Sequence, residues 1–366
     1  MKLPSIKKVK NLKGKKVLLR ADLNVFIEDG EVKGDFRIKQ VLPTIKFLKK
    51  NGAKIIILSH VTKGRANGLL PVAEYLNTYF KVDFSREVLG SETREKIDNM
   101  KNGGVLLLEN LRSDKREKSN DTGFAKELAS LGDIYINDAF SVSHRKHASI
   151  VGIPKFLPSY SGFLMDEEVL NLSKAFKSRH PFLLILGGVK FESKLGVLKR
   201  FIKTADKIFI GGALANVFLK EKGVDIGKSI YDKDVNIKKF VKSKKIVIPK
   251  DMLTESGINW DIGEDAIKEL KEMIDRAKFI IWSGPLGNFE GGYKTGTTEI
   301  AKAIAGSKAN SVVGGGDTIS AIKKLNILNK FSFVSTGGGA MLAFLSEGTL
   351  PGIEVLKKKT KQKLPT

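Results

Sequence analysis

The chain contains no cysteine among its 366 residues. Disulfides, thiolate nucleophiles and cysteine zinc sites are excluded with it, and a reducing cytoplasm is the simplest compartment. No stretch approaches the ~18 consecutive apolar residues of a membrane span. The opening sixteen residues, MKLPSIKKVKNLKGKK, carry charge without an apolar segment and do not read as a secretory signal. RRM-like aromatics, zinc-finger spacings and basic-zipper heptads are also missing. Acidic residues fall short of basic ones, 40 against 64, so the net charge is +24. That excess suits an anionic partner without saying which: nucleic acid, a lipid surface or a phosphorylated metabolite.

Hydrophobic content of 42% is enough for sizeable cores, and the length favours two domains. Alternation of apolar runs with helical periods predicts βαβ units and parallel sheets covered by helices. Strands are expected at residues 15–25, 53–58, 105–108 and 133–136 of the first half. In the second half they are expected at 182–186, 207–210, 279–282, 311–313 and 333–335. Between them, residues 36–50 place Ile38, Val41, Leu42, Ile45 and Leu48 at a helical period. The two prolines within residues 149–160 put the domain junction there, before a long helix over 162–177.

What stands at the strand ends carries the functional reading. In the first half Arg20, Asp22 and Asn24, His60 and Arg65, Arg112, and His144, Arg145 and His147 lie at or just beyond the carboxyl ends, and Arg37 opens the first long helix. Open parallel sheets bind ligands at that edge. Arginine forks placed there repeatedly describe a basin for a small, multiply charged anion. The spacing His144-x-x-His147 is no metal site, because Arg145 and Lys146 between them would repel a cation.

In the second half the same edge is rich in glycine. The strand at 182–186 runs into Gly187-Gly188 and then two lysines four apart, Lys190 and Lys194. Others run into Gly211-Gly212-Ala213, into Pro285 with Glu290 beyond it, into Gly314-Gly315-Gly316-Asp317-Thr318, and into Gly337-Gly338. Some of these glycines serve helix-on-sheet packing. Others can let backbone N–H groups at helix N-termini approach phosphate oxygens. Asp317 is the carboxylate placed to hold Mg²⁺ for a nucleotide. The usual fingerprints fail: residues 223–229 (GVDIGKS) have one residue too few for a Walker A loop, and no GxGxxG follows an early strand.

Taken in order, these blocks resemble the phosphoglycerate kinase family over nearly the full length. The blocks are Arg20-Ala-Asp-Leu-Asn24, Phe36-Arg37-Ile38, Leu108-Glu-Asn-Leu-Arg112, Asn137-Asp-Ala-Phe140, His144-Arg-Lys-His147, Gly187-Gly188-x-Lys190, residues 314–318 and residues 335–340. The chain is similar to the family's compact archaeal members. The resemblance implies two doubly wound, Rossmann-like α/β domains facing each other across a cleft. Residues 1–160 would bind phosphoglycerate, 161–349 would bind nucleotide with 161–177 as the linking helix, and 350–366 would return to the first domain.

It implies reversible phosphoryl transfer from 1,3-bisphosphoglycerate to Mg·ADP, giving 3-phosphoglycerate and Mg·ATP. By resemblance, Arg20, Asp22, Asn24, His60, Arg65, Arg112, His144, Arg145 and His147 form the acid site. Arg37 and Lys190, with the amides of Gly315 and Gly338, would stabilise the transferring group. Lys194 would reach nucleotide phosphates, Glu290 the ribose, and Asp317 the Mg²⁺. Gly211, Gly212, Ala213, Pro285, Gly314, Gly316, Thr318 and Gly337 would complete the nucleotide site. A monomer without membrane contact is expected. The chain departs from the family pattern in a His60–Arg65 loop two residues longer, in Ser283 for asparagine and in Asn288 for valine. The alternative reading is a nucleic-acid-binding protein on a degenerate kinase fold, prompted by the net charge of +24.

Overall fold

The computed structural model describes residues 1–62 and 68–361, with side chains through Lys357. Two compact units emerge, one from Met1–Leu170 and Thr349 onward, the other from Asn171–Gly348.

In the first unit six parallel strands form one sheet: β1 (Lys16–Ala21), β2 (Lys54–Leu58), β3 (Asp83–Ser85), β4 (Val105–Leu108), β5 (Ile134–Asp138) and β6 (Ser159–Ser161). Their spatial order is β3-β4-β2-β1-β5-β6. Helices cover both faces, which explains the unbroken apolar runs. Val17, Leu19, Ile55 and Ile57 point to one face, where α1 (Phe36–Lys50) buries Ile38, Val41, Leu42, Ile45 and Leu48. Leu18, Ile56, Leu58 and Tyr135 point to the other and meet Phe124, Ala125 and Leu128 of a helix at Thr122–Ala129.

The expected junction at 149–160 lies inside this unit. β6 pairs with β5, and Ser161 N–H donates to the carbonyl of Pro4 (2.9 Å). The division falls instead within α2 (Phe163–Ser173), whose continuation Lys174–Lys177 tightens to a 3₁₀ turn.

The second unit repeats the plan with β7 (Phe182–Leu186), β8 (Lys207–Ile210), β9 (Ile246–Val247), β10 (Phe279–Ser283), β11 (Asn310–Gly314) and β12 (Phe333–Val334), in the order β9-β8-β7-β10-β11-β12. The pairings are again all parallel. Leu183, Ile185, Phe209, Ile280, Trp282 and Val313 build one core face. At the carboxyl edge begin α3 (Glu192–Phe201), α4 (Ala213–Glu221), α5 (Gly316–Lys324) and α6 (Gly339–Glu347). The last helix, α7 (Pro351–Lys361), belongs to the first unit.

In each sheet the first strand is central and the chain leaves it first to one side, later to the other. The switch points lie between β1 and β5 and between β7 and β10. Such points open a crevice at the carboxyl ends, where ligands bind in open α/β sheets.

Candidate functional site

At the carboxyl edge of the first sheet Arg20, the penultimate residue of β1, is almost wholly buried, at 1% exposure. Its Nε donates to Ser149 Oγ (2.9 Å), one Nη to the carbonyl of Ala21 (2.8 Å) and the other to His60 Nδ1 (2.9 Å). An arginine cannot accept, so His60 Nδ1 accepts and the ring proton sits on Nε2. Burial, then the charges of Arg20, Arg112 and Arg37, hold the His60 imidazole well below its usual range, so the ring is neutral. His60 Nε2 has no hydrogen-bond partner among the described residues, and neither have Arg112 Nε, His144 Nδ1 and His147 Nδ1.

Asp22, fully buried, takes both of its contacts from one Nη of Arg37 at 2.9 Å each, and the same nitrogen donates to Ser141 Oγ (3.2 Å). Arg37 is thereby aimed from the first turn of α1. Asn24 Oδ1 accepts from Thr62 N (3.0 Å).

Arg112 is half-buried, and burial beside Arg20 and Arg145 lowers its guanidinium to about 10, still charged at neutral pH. His147 is lowered to about 4 by burial and by Arg112 and Arg145, and His144 is lowered by burial and Arg145. Arg145 is exposed. By these charge effects Arg20, Arg37, His60, Arg112, Arg145 and His147 lie within electrostatic reach of one another. Arg65 lies outside the described residues.

The second edge is built differently. Loops after β7, β8 and β10 are tied to one another: Gly187 N–H donates to Ser283 O (2.9 Å), Gly188 N–H to Pro285 O (2.7 Å) and Gly212 N–H to Leu286 O (2.9 Å). A Cβ on Gly187 would lie 2.2 Å from Pro285 O, and one on Gly211 2.5 Å from Leu286. Gly314 backs onto Met341 in the same way. These glycines are packing positions. Gly316 and Gly338 face open space, and Gly315 and Gly338 take positive φ (104° and 51°) just before α5 and α6. Gly337 N–H turns inward to Ser335 Oγ (3.1 Å).

Thr318 is buried, and its hydroxyl accepts from Gly284 N (2.9 Å), linking the β11 loop to the β10 loop. Ala213 opens α4 and is half-buried, while Glu290 is exposed. Lys190 is exposed; Lys194, one helical turn on, is 8% exposed and donates to Lys190 O (3.3 Å). Burial lowers the Lys194 ammonium, while nearby Asp317 raises it and Lys190 lowers it.

Asp317 thus stands in the first turn of α5 close to Lys194. Among the described residues no cluster of three His, Asp or Glu side chains converges for a metal. A lone hard carboxylate suits Mg²⁺ whose other ligands are phosphate oxygens and water. The Walker-like residues 223–229 form no cradle: Lys228 N–H donates to Gly257 O (2.7 Å), and Ser229 Oγ accepts from Asn259 N (2.8 Å).

Sequence reading missed Ser59, Ser141, Ser149 and Glu117. Ser59 Oγ donates to Ala21 O (2.9 Å), and Glu117 accepts from both the amide and the hydroxyl of Ser149. A buried carboxylate within the charged run DKREK carries no sequence signal.

A family model described as phosphoglycerate kinase matches residues 6–348. The phosphoglycerate kinase of Thermosipho africanus is 42% identical over 392 aligned positions, spanning 96% of this chain and 97% of that protein. Among solved structures, phosphoglycerate kinase from Pyrococcus horikoshii superposes with a TM-score of 0.87 at 33% identity, covering 98% of this chain and 100% of that one. The Coxiella burnetii enzyme gives 0.84 at 31% identity, covering 99% and 100%.

Proposed function

The chain belongs to the phosphoglycerate kinase family, and from that premise we propose how its two edges divide the reaction. The activity is that of a phosphotransferase with a carboxyl group as acceptor, exchanging a phosphoryl group between 1,3-bisphosphoglycerate and ADP. The observation that carries the division is the contrast of edges: guanidinium and imidazole donors on the first sheet, backbone amides with two lysines on the second.

The basin of Arg20, His60, Arg112, Arg145 and His147 takes 3-phosphoglycerate, with His144 and Asn24 at its margin; Arg65 is assigned to the same substrate by the family resemblance alone. Asp22 acts by aiming Arg37. The reacting carboxylate is already ionised at neutral pH, so no general base is required. Positioning and charge stabilisation remain, as in other phosphoryl transfers. Arg37 and Lys190 donate to the transferring group, together with amides at the N-termini of α5 and α6 next to Gly315 and Gly338.

Lys194 meets nucleotide phosphates and Glu290 the ribose. Gly211, Gly212, Ala213 and Pro285 form the floor on which the nucleotide rests, and residues 314–318 with Gly337 its rim. Asp317 holds Mg²⁺ that arrives with the nucleotide and neutralises phosphate charge there. Transfer requires the two edges to close on their substrates, which also keeps water from the acyl phosphate. One chain carries both halves, so a monomer suffices, working in the cytoplasm where a cysteine-free chain needs no oxidising environment. The nucleic-acid alternative draws no support from the comparisons.

A coupled assay with 3-phosphoglycerate and Mg·ATP tests this. Wild type should turn over, while Arg37→Ala and Lys190→Ala should each lose about 100-fold or more in kcat. Near-normal kcat in either variant would remove that residue from the transfer step.

A further inference from the structure

Behind the acid basin lies a carboxylate with no task in the reading above. Glu117, on the short helix Lys115–Ser119, is 1% exposed although its neighbours are charged and solvated. Its Oε2 accepts from Ser149 N (2.9 Å) and its Oε1 from Ser149 Oγ (2.6 Å). Ser149 Oγ accepts from Arg20 Nε (2.9 Å), and Arg20 Nη2 donates to His60 Nδ1 (2.9 Å).

Each link has a fixed polarity. Arg20 can only donate, so Ser149 Oγ must send its own hydrogen to Glu117, and His60 must keep its proton on Nε2. That nitrogen is buried and has no partner among the described residues. Among the described residues this N–H is left for a ligand oxygen.

We infer that Glu117 is a positioning residue of the acid site: through Ser149 it fixes the orientation of Arg20 and thereby the Nε2–H tautomer that His60 offers to the substrate. The inference rests on the reading that this edge binds 3-phosphoglycerate. A buried guanidinium needs a counter-charge. Asp22 is already engaged by Arg37, whereas Glu117 exerts the largest opposing charge effect on Arg20. His147 Nδ1, 3.8 Å from Glu117 Oε1, lies beside the same carboxylate. A glutamine at 117 offers one acceptor oxygen to the two Ser149 donors, so its NH2 must oppose either the serine hydroxyl or the Ser149 amide N–H. In either orientation Ser149 loses one of its two anchors, and Arg20 its alignment.

The test is steady-state kinetics on the full chain with 3-phosphoglycerate and Mg·ATP varied separately, for wild type, Glu117→Gln, Glu117→Asp and Ser149→Ala. Glu117→Gln should raise KM for 3-phosphoglycerate about tenfold with KM for ATP unchanged, and Glu117→Asp should recover part of that loss. Should the glutamine variant not fold, Ser149→Ala keeps the carboxylate, removes the relay and should raise the same KM. A KM for 3-phosphoglycerate within about twofold of wild type in the folded variants would overturn the proposal. So would parallel rises in both KM values accompanied by a fall in melting temperature. Absence of wild-type turnover would sink the kinase reading instead. The ¹⁵N shifts of His60 then decide, because they need no substrate: an unchanged Nε2–H tautomer in Glu117→Gln overturns the positioning role, and a changed one supports it.

Discussion

Asp138, at the carboxyl end of β5, is a charge that this fold suppresses. Its carboxyl accepts from Met165 N (3.1 Å) at the start of α2, yet burial pushes it up to about 7. An unfolded aspartate titrates near pH ~3.9. Between those values the folded protein holds a proton that the unfolded chain has released. The contribution to stability is therefore full below the unfolded value and declines as pH rises toward 7. Asp138→Asn retains an acceptor for Met165 and cannot ionise. Relative to wild type it should gain stability as pH rises from about 4 to 8, by about 4 kcal/mol over the range. Urea midpoints at both ends measure this, and a difference that does not vary with pH would show an ordinary carboxyl. Arg20 has the opposite fate: burial lowers it, but Glu117 stands behind it and the charge is kept.

At the scale of elements, the glycine loops of the second unit separate into two kinds. Gly187→Ala would drive a methyl against Pro285 O, backbone that cannot yield, and should cost about 3 kcal/mol of stability. Gly316→Ala meets open space and should change stability by less than about 0.5 kcal/mol, while raising KM for nucleotide several-fold if phosphate approaches there. Thermal melts and the coupled assay separate the two effects. Equal melting temperatures for Gly187→Ala and wild type would contradict the backbone-contact account.

This division was invisible in the sequence, because a Gly-Gly pair reads the same whether its neighbour is a carbonyl or a ligand. The long buried strands were legible, since β2, β7 and β10 are unbroken apolar runs. The short β3, β6 and β9 were not; Asp83–Ser85 and Ser159–Ser161 have no apolar run and take their pairing from neighbouring strands. The basin's cations were legible from their repeated place after strands. Ser149 and Glu117 were not, because they act through Arg20 and not from a strand end.

For the whole molecule the dominant property is charge. At +24 the chain attracts polyanionic substrates from a distance, and salt screens that attraction beyond ~10 Å at 0.1 M. Raising ionic strength from about 0.05 to 0.3 M should lower kcat/KM for 3-phosphoglycerate several-fold with kcat much less affected. A salt-independent kcat/KM would confine the excess lysine to roles away from substrate capture.

The return of α7 to the first unit has a further consequence. Gly352 N–H donates to Ser143 O (2.9 Å), Ile353 and Leu356 are buried, and Val355 packs on Ala139, Val142, Ile150 and Val151. This helix braces the segment that carries His144, Arg145 and His147. The second unit is one continuous stretch of chain, whereas the first is completed only by residues after 348. On the ribosome, the half proposed to bind nucleotide can therefore mature while the half begun earlier still lacks its last helix. A nascent chain halted before that helix would have its glycine-lined edge in place and an unbraced histidine segment.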